Sequence, residues 1–427
     1  MSCDVVVIGA GLSGLVCARR LVERGLDVRI LEARDRVGGR TLSVPFRDRR
    51  VDVGGQWLSP GQPQLAALAR ELDVATVPQY RHGQAVIGRP ARRGLRVPLV
   101  AGFDAWRRFR ELARLVERGA DDDSGSVAAW LAQHVRRAET RELIELMTEL
   151  KFAASVDEIS FGYFLSALRA CGGVTGDESF ELDVKELGFA GGAQTLAERM
   201  ANALSERIEL SAPVGAIEQS AEQVTIRAGD RTLTARRCVV AVPPTACGGI
   251  EMAGRNPARA RLEARMPAGP VVKVVLGYDR PFWREHGLSG EAYRLGAGLR
   301  AVVDLCAGDD AALLAFIVGP SARAWHDSPH DERRADLLDQ LEELFGAEAA
   351  RPAAMLSHDW GADPWSSGCV GNLTPDTSLA DLDAARAPCG RVHYAGSETA
   401  ASWPRYMEGA VDAGERAARE VIAELRR

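Results

Sequence analysis

The feature that most constrains the fold of this chain lies between residues 4 and 32. The apolar run DVVVI at residues 4–8 leads into the glycine-rich turn GAGLSG at residues 9–14. Apolar residues then recur every three or four positions, and a second apolar run follows at residues 28–31. Strands inside a parallel sheet are nearly continuous apolar runs, and a helix between two of them makes a βαβ unit. The sequence therefore predicts an α/β fold built on a parallel sheet.

The glycine-rich turn has the spacing of a dinucleotide-binding site. Gly9 permits the tight turn, Gly11 lets a pyrophosphate approach the backbone, and Gly14 lets the helix pack closely on the strand. Ser13 lies in the same turn, where the helix N-terminus faces the phosphates. Glu32 ends the second strand, where its carboxylate would accept hydrogen bonds from a ribose diol and disfavour a 2'-phosphate. The pattern predicts a dinucleotide other than NADP.

The composition is that of a globular enzyme and argues against several other classes of protein. Apolar residues make up 46% of the chain, and a net charge of -6 provides no broad basic field, so we expect no nucleic-acid partner. The eight cysteines are scattered without Cys-x-x-Cys pairs, so we expect neither a metal site nor a disulfide framework. No basic leader is visible, and no run approaches the ~20 apolar residues that span a bilayer. We therefore expect a soluble, cytoplasmic protein without a membrane anchor.

The length of the chain and the order of its patterns predict two lobes. Helical patterns dominate residues 64–170, whereas residues 208–242 show the period of two that is typical of strands. Within this second range, separate strands are predicted near 208–210, 214–217, 224–227, 233–235 and 238–242. Further elements are predicted as strands at 271–278, 301–305 and 313–318 and a helix at 332–345. We assign residues 1–80, 190–250 and 385–427 to a discontinuous cofactor-binding lobe, and residues 81–189 and 251–384 to a substrate-binding lobe.

Three further segments indicate which dinucleotide binds. They are EARDRVGGR at residues 32–40, DVGGQW at residues 52–57, and YAGSETA followed by WPRYMEGA within residues 394–410. These segments resemble the flavin-containing amine oxidases of the monoamine oxidase type, and the resemblance covers essentially the whole chain. It implies FAD as the cofactor, a Rossmann-like FAD-binding lobe, and a substrate-binding lobe made of a mixed β-sheet and helices.

By this resemblance, the FAD site extends well beyond the glycine-rich turn. Arg34 and Arg40 would neutralise the pyrophosphate or ribityl neighbours, and glycines at 54 and 55 would let the backbone approach the flavin. The helix that starts near Met407 would point its N-terminus at the pyrimidine edge of the isoalloxazine, which carries negative charge in reduced flavin. The residues assigned to the cofactor in this way are Ala33, Arg34, Gly39, Arg40, Gly54, Gly55, Gln56, Trp57, Val214, Trp360, Cys369, Gly396, Ser397, Glu398 and Met407.

Two residues match catalytic positions of the family. Lys273 is one of only three lysines, and it matches the lysine that holds a water at flavin N5. Burying its charge is costly unless the ammonium reaches a polar cavity, and the alternative is an edge-strand lysine that reaches solvent. Tyr406 matches one of two aromatic residues that flank the substrate amine, the alternative being a core tyrosine. The second aromatic position falls on Val370. Tryptophans that would compensate are Trp360, Trp365 and Trp403, and the sequence does not choose between them.

Other positions leave the chemistry of the pocket open. Cys369 matches the cysteine that forms a thioether to the flavin in covalent members of the family, with a free buried thiol as the alternative. Trp403 is assigned to the substrate pocket together with Val370. Charged residues fall where monoamine oxidases have largely apolar or neutral pocket residues, namely Glu149, Lys151, Glu178 and Lys185. If these charges line the pocket rather than face solvent, the substrate is more polar or larger than a simple arylalkylamine.

The resemblance implies FAD-dependent oxidation of a small-molecule amine. Hydride passes from the α-carbon to flavin N5, the imine hydrolyses to the carbonyl, and dioxygen is reduced to hydrogen peroxide. An L-amino-acid oxidase or a flavin-dependent desaturase on the same scaffold is an alternative, and a non-catalytic flavin-binding scaffold is a remote one. The sequence leaves a homodimer open.

Overall fold

The computed structural model of the chain describes residues 2–88, 99–118, 125–173, 187–308 and 310–426. Its strands are β1 (Ser2–Ile8), β2 (Val28–Leu31), β3 (Ser43–Phe46), β4 (Arg49–Asp52), β5 (Thr76–Pro78), β6 (Gln84–Gly88), β7 (Leu187–Phe189), β8 (Ile208–Glu209), β9 (Val214–Gln219), β10 (Val224–Ala228), β11 (Arg231–Val240), β12 (Glu251–Met252), β13 (Ala268–Gly269), β14 (Val271–Tyr278), β15 (Leu288–Arg294), β16 (Ala301–Asp304), β17 (Ala311–Val318), β18 (Ala354–Asp359), β19 (Val370–Gly371) and β20 (Val392–Tyr394).

Its helices are α1 (Leu12–Val22), α2 (Pro63–Glu71), α3 (Leu99–Arg118), α4 (Val127–His134), α5 (Ala138–Phe152), α6 (Phe161–Ala170), α7 (Gln194–Ala203), α8 (Pro244–Cys247), α9 (Pro257–Arg265), α10 (Phe282–Glu285), α11 (Pro320–Asp327), α12 (His330–Phe345), α13 (Leu379–Arg386) and α14 (Met407–Leu425). Short 3₁₀ turns occur at Ser205–Arg207, Trp360–Ala362 and Ser397–Thr399.

The first large sheet has the order β12-β9-β10-β11-β1-β2-β8, with β20 also paired to β11. The predicted βαβ unit is present, because β1 and β2 are parallel and α1 connects them. Side chains alternate across β1: Val5 and Val7 join the core beneath α1, α7 and α14, whereas Val6 and Ile8 join the core on the opposite face. Both faces of this strand are therefore buried, which explains its continuous apolar run.

Strand β11 is longer than the sequence pattern predicts. Separate strands at 233–235 and 238–242 are expected, but one strand runs from Arg231 to Val240. It pairs in parallel with β1 from Thr234 to Val240, while its other edge pairs first with β10 and then with β20. Because β20 joins the sheet there, the C-terminal segment that follows it lies beside the glycine-rich turn, where the amide of Gly396 donates to Ser13 Oγ at 2.9 Å.

The second large sheet has the order β18-β14-β17-β16-β15-β6. All eight residues of β14 are buried, since β17 and β18 flank the strand on both sides. The helical expectation for residues 64–170 is incomplete, because β5 and β6 lie within it. Strand β6 pairs with β15, about two hundred residues later in the chain, and its first two residues are exposed. A pairing partner so distant leaves no local pattern to detect.

Close packing between α1 and α14 fixes the start of the last helix. A Cβ atom at Gly414 would lie 2.5 Å from the carbonyl oxygen of Ser13, so only glycine allows this approach.

Nothing in the described residues forms a helix with both the length and the apolar character that crossing a membrane requires. The division into two lobes stays a prediction: β5 and β7 form a two-stranded sheet whose strands fall on opposite sides of the expected boundaries.

Candidate active site

One cavity is lined by residues of both large sheets and of the C-terminal segment. The predicted cofactor residues that line it are Gly9, Gly11, Ser13, Glu32, Ala33, Arg34, Gly39, Arg40, Gly54, Gly55, Gln56, Trp57, Val214, Cys369, Gly396, Ser397 and Met407. The catalytic candidates Lys273 and Tyr406 line the same cavity, as do Lys151 and Val370. Predicted residues outside its lining are Gly14, Trp360, Glu398, Glu149 and Trp403. Glu178 and Lys185 lie outside the residues that the structure describes.

The three glycines of the turn serve different purposes. Gly9 has a φ of 101°, which favours glycine. A Cβ at Gly14 would lie 2.0 Å from the carbonyl oxygen of Gly9, so packing requires glycine there. Gly11 has an extended backbone, and a Cβ there would meet nothing closer than 4.0 Å. Neither conformation nor packing requires glycine at this position, which faces the cavity. Glycine would be required here if a ligand closely approached the backbone. This open cradle fits a pyrophosphate.

Glu32 and Arg34 lie at the glycine-turn end of the cavity. The Glu32 carboxylate is buried and accepts hydrogen bonds from the amides of Ala10 at 2.7 Å and Arg34 at 3.0 Å. Each carboxylate oxygen accepts through more than one lone pair, so a ribose diol fits as a further donor. The Arg34 guanidinium contacts Asp363 at 2.6 Å. Burial opposes ionisation of Asp363, but Arg34 together with hydrogen bonds from the Trp365 amide and Ser366 Oγ holds the pKa of Asp363 below its usual range.

Arg40 is held by a buried network of acceptors. It forms a two-point ion pair with Glu398, at 2.5 and 2.9 Å, and also donates to the carbonyl oxygen of Cys369 and to Ser397 Oγ. Burial disfavours the Glu398 carboxylate, yet the Arg40 guanidinium outweighs it and lowers the pKa of Glu398. Glu398 therefore positions Arg40, Ser397 and Cys369, which do line the cavity, without lining it itself.

Lys273 lies in the middle of the buried strand β14, with a relative exposure of 5%. Its ammonium donates to the carbonyl oxygen of Gly54 at 2.7 Å and to Gln56 Oε1 at 3.1 Å. The rings of Trp57 and Phe316 lie 5.2 and 5.1 Å from Nζ. The alternative of an edge-strand lysine is therefore wrong, because this strand has a neighbour on each side. Segment 54–57 and Lys273 form one polar corner of the cavity.

The start of α14 forms another wall of the cavity. Met407 and Ala410 line it, and a Cβ at Gly55 would lie 3.3 Å from the Met407 side chain, so the two segments are in close contact. The first amides of a helix have no acceptor within it and favour negative charge. Tyr406, which precedes the helix, packs edge-on against Trp403 with ring centroids 5.3 Å apart. Trp403 therefore supports Tyr406 from outside the lining.

Cys369 and Val370 adjoin on the wall that continues into β19. Burial raises the pKa of the Cys369 thiol, which favours the thiol over the thiolate. Two of the tryptophans that the sequence offers as the second aromatic do not line the cavity: Trp360 is buried and donates to the carbonyl oxygen of Val53, and Trp403 lies behind Tyr406. Trp365 does line the cavity.

The charged positions near α5 separate into two environments. This helix ends at Phe152 because Ala153 takes a left-handed conformation with a φ of 50°, which places Lys151 on the cavity wall. Glu149 instead pairs with Arg300 at 2.8 Å. Burial raises the pKa of Glu149 despite this pair. Of the two, only Lys151 lines the cavity.

Sequence reasoning missed several residues of this cavity, and two of them carry features that bear on its chemistry. Phe316 pairs with Lys273 across β14 and β17, a long-range register that no local pattern reveals. Arg405 lines the cavity with a relative exposure of 9% and a φ of 76°, which is unusual for a residue other than glycine. The signal for Arg405 was its place beside Tyr406, but about fifty arginines in the chain obscured it.

Comparison with known proteins agrees with this geometry. A family model described as flavin-containing amine oxidoreductase matches residues 12–422. The probable flavin-containing monoamine oxidase A of Dictyostelium discoideum is 33% identical over 446 residues, which cover 99% of this chain and 98% of the relative. The flavin-containing amine oxidase B of Sus scrofa is 31% identical, with 98% of this chain and 86% of the relative covered.

Two solved structures have the same fold. A wild-type putrescine oxidase bound to putrescine has a TM-score of 0.93 and 29% identity, with 99% of both chains covered. A cyclohexylamine oxidase from Brevibacterium oxydans has a TM-score of 0.92 and 32% identity, with 100% of both chains covered. The expected fold class, a Rossmann-like FAD-binding lobe combined with a mixed sheet and helices, is confirmed. The chain belongs to the flavin-containing amine oxidoreductase family and is an FAD-dependent amine oxidoreductase.

Proposed function

We propose that the protein oxidises a small-molecule amine to an imine, which hydrolyses to the carbonyl compound, with FAD bound along the cavity and dioxygen as the electron acceptor. FAD supplies a hydride acceptor at N5 and returns to its oxidised form by reducing dioxygen to hydrogen peroxide. The observation that carries the proposal is the buried ammonium of Lys273, which opens on the same cavity as the glycine turn, Tyr406 and the start of α14.

Residues of the cavity lining could hold several parts of the cofactor. The glycine turn and the N-terminus of α1 would bind the pyrophosphate, and Glu32 would bind a ribose diol. Arg40, fixed by Glu398, would adjoin the ribityl region together with Ser397. The first amides of α14 would face the pyrimidine edge and stabilise negative charge there, which is a preorganised electrostatic contribution.

The reacting amine would lie between Tyr406 and the corner formed by Lys273. Tyr406 would orient the nitrogen lone pair, and its ring is braced by Trp403. Lys273 would hold a water molecule through its ammonium, which Gly54 and Gln56 already orient. The lysine charge also disfavours a second cation nearby, so it favours the neutral amine, the form whose lone pair can assist hydride departure.

The substrate would be more polar or larger than a simple arylalkylamine. Lys151 supports this, since it places a charge on the cavity wall beside Leu150 and Val370. Val370 adds room, because a valine occupies less volume than the aromatic residue expected by resemblance. The putrescine and cyclohexylamine oxidases show that relatives with this fold differ in the amines they are named for.

The test is Lys273→Met, an unbranched and uncharged replacement of similar length. We expect amines to bleach the flavin of the wild type without oxygen, and we expect the variant to react with dioxygen about tenfold more slowly or worse once reduced. FAD content and thermal midpoint should stay close to the wild type. Arg294→Met is the matched control, because it removes another buried cation from the same sheet outside the cavity. Unchanged oxygen kinetics in Lys273→Met would remove Lys273 from this role.

Cys369 is the position proposed for covalent attachment of the flavin, with a free thiol as the alternative. Its place in the cavity lining supports attachment, whereas its burial and raised thiol pKa favour an unreacted thiol. Acid precipitation separates the two outcomes. Yellow colour that stays with the pellet of the wild type and leaves with the supernatant of Cys369→Ala supports the bond, and full release from the wild type excludes it.

A further inference from the structure

The charges on the cavity wall are unequally distributed. Among the described residues that line the cavity, Glu32 is the only acidic one, and it lies at the glycine-turn end. Cations at the other end are Lys151, Lys273 and Arg405, which share the wall with Tyr406 and Val370. Leu150, Phe316 and Val370 pack into one cluster, so these walls adjoin. A substrate that reaches this end meets positive charge at several points.

Of the two buried cations among these, Arg405 has weaker polar contacts than Lys273. Its guanidinium stacks 4.2 Å above the Phe152 ring, and its Nη1 donates to the Lys151 carbonyl oxygen and to Asn372 Oδ1 at 3.4 and 3.3 Å. Charge-assisted hydrogen bonds are usually shorter, at roughly 2.7–2.9 Å. Its Nε is buried without a hydrogen-bond partner, and no carboxylate of the described residues forms an ion pair with it. A buried guanidinium with two weak neutral acceptors is disfavoured unless a ligand completes its shell.

The backbone of Arg405 adds a second, independent observation. Its φ of 76° lies in the left-handed region, where glycine would be unstrained and arginine is not. Its amide donates to the carbonyl oxygen of Ser397 at 3.0 Å, which fixes this conformation beside the cofactor segment. The fold gains neither an ion pair nor a relaxed backbone from arginine here. Strained residues of this kind are concentrated at ligand-binding sites.

We propose that Arg405, assisted by Lys151, binds a carboxylate of the substrate, so that the protein oxidises an amine that also carries a carboxylate. This inference rests on the proposed amine oxidation and specifies its substrate class. The guanidinium presents paired N–H donors that match a carboxylate. A diamine is disfavoured, because its second ammonium would meet Lys151 and Arg405 and no carboxylate of the described lining. The substrate class proposed here therefore differs from putrescine, the diamine bound by the related oxidase.

Binding of an unreactive ligand tests the anion site without turnover. The holoenzyme is titrated with pentanoate and with pentan-1-ol, which has the same chain length and no charge, while the flavin absorbance is followed. We expect the wild type to bind pentanoate at least tenfold more tightly than the alcohol. Arg405→Gln should lose that preference, Arg405→Lys should retain part of it, and the control Arg294→Gln should keep it. Equal pentanoate affinity in the wild type and Arg405→Gln would overturn the proposal.

Arg405→Gly is a second test variant, in case Arg405→Gln misfolds. Glycine relieves the left-handed backbone and also removes the cation. We expect this variant to retain FAD and to lose the preference for pentanoate. If Arg405→Gly binds pentanoate as the wild type does, the guanidinium has no part in anion binding and the proposal fails.

Anaerobic bleaching then separates this inference from the proposed function. Butylamine, 1,4-diaminobutane, 4-aminobutanoate and 2-aminobutanoate are compared as reductants of the flavin. We expect a carboxylate-bearing amine to be fastest, and Arg405→Gln to lower the ratio of its rate to that of butylamine at least tenfold. If butylamine or the diamine is fastest, amine oxidation stands and the substrate class is wrong. If none bleaches the flavin while pentanoate binding still depends on Arg405, the anion site stands and the proposed oxidation fails.

Discussion

The ion pair between Arg40 and Glu398 allows a quantitative test of how the C-terminal segment holds the cofactor cavity together. Glu398 has 1% side-chain exposure and Arg40 has 22%, so the carboxylate is fully buried and the arginine side chain is partly exposed. Replacement of Glu398 by glutamine keeps one acceptor oxygen and removes the compensating charge. Breaking a buried pair on one side costs about 3–5 kcal/mol, because the remaining charge is left uncompensated. We expect the lower end, about 3 kcal/mol, since Arg40 keeps the Cys369 carbonyl and Ser397 as acceptors.

The double variant Arg40→Met with Glu398→Leu is the matched control. Replacing both members of a buried pair by apolar residues of similar volume is often neutral or stabilising, because no charge remains to be desolvated. We therefore expect the double variant to recover most of the stability that Glu398→Gln loses. Its FAD affinity should stay low, because Arg40 and its orientation of Ser397 are gone. If the pair contributed only to stability, the double variant would instead bind FAD with wild-type affinity.

The assay is urea unfolding of the apoprotein across pH, with FAD binding measured separately. Glu398 has a lowered folded pKa, so its stabilisation is fully present above the unfolded carboxyl value of about 4.3 and disappears as pH falls through the folded value. The difference between wild type and Glu398→Gln should therefore be constant near neutral pH and shrink only below about pH 4. A cost below about 1 kcal/mol, or a double variant no more stable than the single one, would refute the description of a buried, charge-coupled pair.

Two further predictions concern the glycine turn and the buried carboxyl group of Asp52. Gly11→Ala should fold with unchanged or slightly raised stability, by about 0.4–1 kcal/mol, and bind FAD at least tenfold more weakly. Gly14→Ala should lose about 3 kcal/mol or more of stability, because its Cβ meets the Gly9 carbonyl oxygen. Urea unfolding and flavin titration measure both effects, and a Gly11→Ala protein with wild-type FAD affinity would contradict the pyrophosphate cradle. Burial raises the pKa of Asp52 to about 6, so the folded protein keeps a proton that the unfolded chain releases. The free energy of unfolding should therefore fall by roughly 3 kcal/mol between pH 4 and 6, and Asp52→Asn should abolish that part of the slope.

The local parts of the site could be predicted from the sequence. The glycine turn, Glu32 and the strands on either side of α1 follow from patterns within about thirty residues, because turn geometry and apolar periodicity act over that range. The position of Lys273 could also be predicted, since burying a lysine inside an apolar strand is costly without a polar cavity. In the structure it lies 2.7 Å from the Gly54 carbonyl oxygen, inside that cavity.

Residues that depend on long-range pairing could not be predicted. Phe316 reaches the cavity only because β17 pairs with β14 in one register, and β6 is recruited by β15 from a distant part of the chain. A one-residue shift in register would turn Phe316 to the other face of its sheet. Glu149 and Lys151 are two residues apart on the same helix, yet Glu149 faces Arg300 and Lys151 faces the cavity. Sequence alone treats the two charges alike.

Arg405 shows why residue frequency is a weak guide to function in this chain. Lysine is rare in this chain, which singles out Lys273, whereas arginine is common and its frequency does not single out Arg405. Yet the physical arguments for the two residues are of one kind, since each is a cation with more than nine-tenths of its surface buried at the cavity. They differ in how completely the protein itself solvates them. Lys273 has close oxygen acceptors on segment 54–57, whereas Arg405 has longer contacts, an Nε without a partner and a strained backbone. The cation that the fold solvates less well is the one with more to gain from a substrate carboxylate, so discrimination among amines should depend on Arg405 more than on Lys273.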